Sequence, residues 1–263
     1  MSETATESRP AAALVRADLG GRTALVTGAS SGFGDHFARV LAASGAHVVA
    51  AARRTDRLRD LVRDIRAAGG SAEAATMDVT DAAAVEAAFE SLAKVDVVVN
   101  NAGVPSGVPA ISLELDEWRQ TFRTNAEGAF IVAQAAARRM VETGTQGSIV
   151  NIASITGLRP GPATVAYGAS KAAIISLTES LAQEWARYGI RVNALAPGYF
   201  ETDLNRDFLR SDYAEKMLKR VPQRRFGQLP DLDGPLLLLA SDSSAFMTGA
   251  VIAIDGGHLV SVL

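Results

Sequence analysis

The sequence predicts an α/β protein organised around a doubly wound parallel sheet, and three observations carry that expectation. Short apolar, β-branched runs alternate with longer Ala-rich stretches of helical pattern along the 263 residues. The runs are continuously apolar rather than alternating, as strands buried on both faces must be. The first run leads into "TGASSGFG", which crowds Gly28, Gly32 and Gly34 into the place where a strand should hand over to a helix. Strand–helix alternation of this kind is built from right-handed βαβ units.

In chain order, "TALVT" (23–27) precedes a helical pattern at 32–44, and "HVVAA" (47–51) precedes one at 55–68. A weaker strand near 73–77 leads to a pattern at 81–93. "DVVVN" (96–100) and "SIVNI" (148–152) are each followed by a long pattern, at 114–142 and 162–188. "RVNAL" (191–195), a pattern at 230–241 and "VIAID" (251–255) complete about seven strands flanked by helices on both faces. Residues 1–18, rich in Ala, Ser, Thr and Glu, read as a flexible leader, and 19–263 read as a single domain. One stretch breaks the rhythm. Residues 198–229 form a long polar and aromatic connection after the sixth strand, of a length that suits a lid or substrate loop. A pair of surface helices without a role is the plainer alternative.

Composition excludes several functions. A formal net charge of −3 offers no basic field to nucleic acid or an anionic membrane. The absence of cysteine removes disulfides, thiolate catalysis and thiolate metal sites. His36, His47 and His258 are not spaced as a metal pair, so no metal is expected. The start, "MSETATESRP", lacks the basic segment and apolar core of a signal peptide. Apolar runs such as "PLLLLA" (235–240) are too short to span a bilayer. The expectation is a cytoplasmic protein.

The three glycines need a reason, because glycine is used where φ is positive or where something approaches closely. In a doubly wound sheet the first strand–helix turn lies at the carboxyl edge, where free amides and the helix dipole suit a pyrophosphate. Gly28 would allow the tight turn, Gly32 the close approach, and Gly34 the packing of helix on strand; Ser30, Ser31 and Phe33 belong to the same loop. The spacing, Gly-x₃-Gly-x-Gly, differs from the usual dinucleotide fingerprint. At the end of the second strand, where an NAD-binding fold places a carboxylate, stand Ala51 and Ala52, followed by Arg53 and Arg54. A guanidinium binds a 2′-phosphate that a carboxylate would repel, so NADP(H) is favoured over NAD(H), with NAD(H) kept open. Ser31 could bond the same phosphate, whereas a solvated helix start is the plainer role of the two arginines. Asp78, in "MDVTD" beside Val79, is placed to meet an adenine edge or to cap the helix starting near Asp81.

Tyr167 and Lys171, in "YGASK", lie four apart in a helical pattern and share one face. A neighbouring ammonium favours the phenolate, which lowers the tyrosine pKa toward a value useful for proton exchange with an alcohol or carbonyl. Ser154, in "NIASITG" after the fifth strand, could hold the same substrate oxygen. Asn125, a polar residue inside a periodic helix, could hold a water that links Lys171 to solvent. Each also has a bland reading, as a turn serine, a half-buried aromatic and an amide satisfying nearby backbone.

The whole set resembles the short-chain dehydrogenase/reductase family, in its form of about 250 residues, from about Gly20 to the C-terminus. "TGASSGFG", "NNAG" (100–103), Asn125, Ser154, Tyr167 with Lys171, "PG" (Pro197–Gly198) and "DGG" (255–257) carry the resemblance. It implies a Rossmann-like sheet of seven strands with three helices on each face. It also implies Tyr167 as acid/base, Ser154 on the substrate oxygen, Lys171 on the nicotinamide ribose, and Asn125 completing a tetrad. Asn101, Ala102 and Gly103 would line the adenosine side, and Thr202 would approach the nicotinamide carboxamide. Family members assemble as tetramers or dimers through the helices corresponding to 114–142 and 162–188, which implies a homo-oligomer.

The reading is an NAD(P)-dependent oxidoreductase acting on a small-molecule carbonyl or secondary alcohol. A non-catalytic regulator sensing NADP(H) would keep the glycine loop without needing an intact Ser–Tyr–Lys set, and a lyase or epimerase could use the same tyrosine. The substrate pocket is expected between Val104–Pro109, Ile155–Pro160 and the start of the 198–229 connection. Leu158, Pro160, Tyr199, Phe200 and Leu204 make it apolar, suited to a hydrophobic ketone or alcohol, with sugars less favoured. Arg159, Arg224 and Arg225 could bind a carboxylate, though solvation is their plainer role.

Overall fold

The computed structural model describes residues 17–201 and 212–261. Among them seven strands form one sheet: β1 (Thr23–Thr27), β2 (His47–Ala52), β3 (Ser71–Thr76), β4 (Val97–Asn100), β5 (Ser148–Ile152), β6 (Arg191–Pro197) and β7 (Val251–Ile254). Their spatial order is β3-β2-β1-β4-β5-β6-β7, every pair parallel. The chain therefore winds outward from β1, crosses back over the sheet and winds outward again from β4. Beyond the carboxyl ends of β1 and β4 that reversal leaves a crevice.

Successive strand residues serve opposite faces, as the pleat requires. Ala24, Val26, Val48, Ala50, Val97 and Val99 pack with α1 (Gly32–Ala43), α2 (Thr55–Ala67) and a late helix over Asp233–Ala240. Leu25, Val49, Ala51 and Val98 pack instead with α3 (Ala82–Glu90) and two longer helices, over Gly128–Thr143 and Val165–Trp185. Both faces are covered, which is why the central strands read as unbroken apolar runs. β3 is the exception. It lies at the sheet edge with Ser71, Glu73, Ala74 and Thr76 exposed, so burial never demanded a strong pattern there.

The helical pattern at 114–142 is not one helix. It divides into α4 (Leu115–Phe122), a π-helical turn over Arg123–Glu127, and α5 (Gly128–Thr143). Such a turn accommodates an extra residue inside a helix and is common at functional sites; Asn125 sits at its centre. The helix at Val165–Trp185, α6, starts later than the pattern at 162–188, because Pro162 and Ala163, at φ +55, lie ahead of it. In the connection after β6, α7 (Asp212–Leu218) precedes α8 (Asp233–Ala240), and residues 202–211 lie outside the described residues.

Candidate active site

At the carboxyl edge of the sheet a cavity of about 350 Å³ runs from the glycine loop to Ser154, Tyr167 and Lys171. Gly28 has φ +67, and a Cβ there would stand 2.9 Å from the Ala102 Cα and the Asn101 side chain. Only glycine meets both conditions. Gly34 lies beneath the turn, where a Cβ would fall 2.3 Å from the Gly28 carbonyl oxygen, so α1 can approach β1 this closely only without one. Ser31 caps α1 in extended conformation without a side-chain cap bond, which leaves the first-turn amides available to an anion. Thr27 ties the two sides of the crevice: its hydroxyl accepts the amides of Asn101 at 2.9 Å and Ala102 at 3.0 Å.

A neighbouring cavity of about 190 Å³ shares Gly28, Ser31, Ala102 and Gly103 with the first and adds Ser30, Arg53, Arg54, Asp78 and Val79. The two arginines behave differently. Arg54 is pinned to the glycine loop, donating to the Ser31 hydroxyl at 2.7 Å and the Ser30 hydroxyl at 3.0 Å. Arg53 extends into solvent, 3.9 Å from Asp78. The capping role weighed for Asp78 belongs to Asp81, which accepts from the Ala84 amide. Asp78 instead accepts the Thr80 amide and hydroxyl, each at 2.9 Å, and these bonds hold its carboxyl below the usual aspartate range.

Phe33, Pro197 and Gly198 also line the larger cavity, whereas Thr202 lies outside the described residues. Of the other residues expected to shape a substrate pocket, Leu158 is exposed at the surface and Phe200 is buried edge-on against Phe33. Leu204 lies outside the described residues. Arg225 pairs with Asp231 at 2.5 Å, and Arg224 donates to the Lys219 carbonyl.

At the far end of the cavity from the glycine loop, Tyr167 and Lys171 project from successive turns of α6. Lys171 is 5% exposed; its Nζ donates to the Ile152 carbonyl at 2.7 Å and stands 5.6 Å from the Tyr167 ring centre. Burial draws its pKa from 10.5 down to about 8. The tyrosine departs from expectation. Burial pushes the Tyr167 phenol above its ordinary value, its hydrogen bond with Ser154 pulls back, and nearby Tyr199 adds to the rise. Desolvation therefore outweighs the lowering expected from the ammonium.

The Ser154 Oγ accepts from both the amide and the hydroxyl of Thr156, at 3.2 and 2.9 Å. Both lone pairs are then engaged, so its own proton is the one it shares with Tyr167 on the cavity wall. Asn125, 1% exposed, accepts the Val104 amide at 2.7 Å and donates to the Val104 carbonyl and the Ser170 hydroxyl, each at 3.0 Å. Both Nδ2 protons are spent, so the side chain braces the loop after β4 against α6. A water relay at Asn125 would have to use the second Oδ1 lone pair or the main chain.

Reading the sequence missed three residues that assemble this end. Thr156 orients Ser154, and Thr27 joins the strand ends. Gly157 lets the loop after β5 touch the backbone of α6, since a Cβ there would lie 2.6 Å from the Lys171 carbonyl carbon. The glycine in "SITG" was visible, but its partner is set only by the fold.

The short chain dehydrogenase family model matches residues 22–212. The chain belongs to this family. As a short-chain dehydrogenase it is an oxidoreductase. Gluconate 5-dehydrogenase of Gluconobacter oxydans is 38% identical over 249 residues, 93% of this chain and 97% of that one. L-rhamnose 1-dehydrogenase (NAD(P)(+)) of Azotobacter vinelandii is 40% identical over 250 residues, 92% of this chain and 98% of its own length. A solved gluconate 5-dehydrogenase from Burkholderia cenocepacia, in complex with NADP and tartrate, superposes with a TM-score of 0.90 at 40% identity, covering 94% of this chain and 98% of that one.

Proposed function

We propose that this short-chain dehydrogenase uses NADP(H) to interconvert a secondary alcohol and its ketone, with Tyr167 as the group that exchanges the proton. The observation that carries the reading is the convergence of Ser154, Tyr167 and Lys171 on a cavity continuous with the glycine loop. The residues present fit a phosphorylated dinucleotide: a loop that a Cβ would fill, uncapped first-turn amides, and two arginines beside Ser30 and Ser31. Relatives that bind NADP or accept NAD(P) support the same cofactor. Bound there, the nicotinamide would supply or accept the hydride.

The chain's own residues would do the rest. In the reducing direction the half-buried Tyr167 phenol is protonated at neutral pH and donates that proton to the developing alkoxide. Ser154 donates its hydroxyl proton to the same oxygen, held in that orientation by Thr156. Lys171, still charged at neutral pH, steadies the phenolate that remains. In oxidation the order reverses. Neither the regulator nor the non-redox alternative has support, because the relatives reported above are named dehydrogenases.

The reading includes a small-molecule substrate and a homo-oligomer. Self-association is supported by the outward face of α5, where Phe130 and Val141 are 40% and 48% exposed, and by Tyr188 in the turn just after α6, 44% exposed. Among the described residues no helix is long and apolar enough to cross a membrane.

Tyr167→Phe tests the reading. Turnover of secondary alcohols with NADP⁺ should fall by roughly 10²–10⁴-fold, the usual worth of positioned acid–base catalysis, while NADPH still binds. Undiminished turnover would overturn the assignment of Tyr167.

A further inference from the structure

Resting on the oxidoreductase reading, we propose that the substrate carries a carboxylate, held by Arg220, Arg159 and His258 in a second cavity beside Ser154. This cavity, of about 130 Å³, includes Ile155 and Thr156, the two residues directly after Ser154. It shares Tyr199 with the catalytic cavity. With its alcohol at Tyr167, the substrate would place its acid end past Tyr199 in this second cavity.

Its chemistry is basic and unpaired. Arg159 is half-buried and fixed, its Nη1 donating to the carbonyls of Leu259 at 3.2 Å and Ser261 at 3.4 Å, with no carboxylate partner among the described residues. Arg220, exposed just beyond α7, likewise makes no ion pair among the described residues. Several other arginines are matched to acids, as Arg225 is to Asp231 and Arg39 to Asp35 and Asp64. The nearby acid, Asp255, is committed to backbone, accepting the amides of Gly257 at 2.8 Å and Leu259 at 2.7 Å.

His258 adds an independent observation. Its Nδ1 is buried without a hydrogen-bond partner, the one side-chain atom in that state among the described residues. A buried polar atom left unsatisfied costs about 1–3 kcal/mol, so a partner supplied by a water or by a ligand is favoured there. Burial is the main cause that lowers the imidazole pKa; Asp255 opposes it, and Arg159 and Arg220 add to it, so the ring is neutral at pH 7. A neutral imidazole offers Nδ1–H as a donor in one tautomer, and a carboxylate oxygen accepts it. Two cations without ion pairs and a neutral donor around one small space, where the nearby Asp255 carboxylate is held by backbone amides, select an anion. The planar guanidinium fork favours a carboxylate. This replaces the hydrophobic ketone expected from the apolar residues near 199–204 with an oxidisable hydroxy acid or its oxo acid.

The test is steady-state oxidation by the full chain with NADP⁺ and two probes of matched length, D-gluconate and its uncharged counterpart D-glucitol. Arg220→Ala should raise KM for gluconate at least tenfold more than KM for glucitol, with the change in KM rather than kcat. Arg159→Lys, which keeps the charge but loses the fork, should shift the same ratio less. Equal shifts for both probes, or none for either, would overturn the proposal. If neither probe is turned over, calorimetric titration of gluconate into NADP⁺-saturated protein separates the two readings. Binding that Arg220→Ala weakens would keep the anion site and reject alcohol oxidation, whereas absence of binding would reject the anion site as well.

Discussion

At the glycine-loop end of the cleft the Arg53 side chain stays 72% exposed with Asp78 3.9 Å away, whereas at the Tyr167 end Lys171 is buried to 5% exposure and bonded to one carbonyl. Arg54 lies between these extremes, in water but tied to Ser30 and Ser31. A guanidinium in water keeps its charge at any working pH, contributes little on its own, and gains worth when a phosphate arrives. The buried ammonium pays for its location instead: desolvation brings its proton within reach of physiological pH. One end of the cleft recognises by reach, the other by stored electrostatic tension.

Removing the buried cation is the strongest way to break the contrast. Lys171→Met should lower turnover by roughly 10²–10³-fold, because the phenolate left on Tyr167 loses its cation. The same variant should be more stable than the wild type below pH 8, and the sign follows from linkage. With a folded-state pKa near 8 against an ordinary 10.5, the wild type binds fewer protons folded than unfolded between those values. Its stability therefore rises with pH across that window, by about 3 kcal/mol in all, and below it the full penalty stands. Denaturant unfolding of both proteins from pH 7 to 10 checks this; a difference that does not vary with pH would mean that Lys171 is not buried in its charged form.

At the other end the effects should be smaller and purely on binding. Arg54→Ala and Arg53→Ala should each weaken NADPH by about tenfold and leave NADH nearly unchanged, read by nicotinamide fluorescence. Added salt should weaken NADPH binding to the wild type more than to either variant, since these charges are screened. An intrinsic preference for NADH would overturn the cofactor reading and leave the catalytic one intact. The smallest effect is expected at Thr156→Val, which removes one of the two bonds orienting Ser154: kcat should fall by about fivefold, as one hydrogen bond is worth about 1 kcal/mol. An unchanged kcat would mean the Thr156 amide alone suffices.

The two ends also differ in how far the sequence revealed them. Around β1 and α1 the decisive atoms are backbone, and glycine announces them, so "TGASSGFG" could be read locally. Tyr167 and Lys171 were legible because helix periodicity relates residues four apart. Asn125 drew attention as a polar residue in a helix, but the π-turn holding it depends on packing, with Gly128 drawn so close that a Cβ would meet Val79 at 2.8 Å. The Tyr167 pKa was expected to move down and moves up, because proximity of a charge can be read from spacing and depth of burial cannot.

By itself the sequence determined the alternation of strand and helix, the doubly wound sheet, the glycine turn and the residue types in the cleft, all consequences of periodicity and local backbone freedom. Tertiary structure alone decided that Gly157 lets the Ser154 loop touch α6, that Thr156 turns the serine, and that Arg159, Arg220 and His258 from three separate segments surround one cavity. Those relations are made between residues far apart in the chain, where no period or spacing carries the information and only the packing of layers brings the groups together.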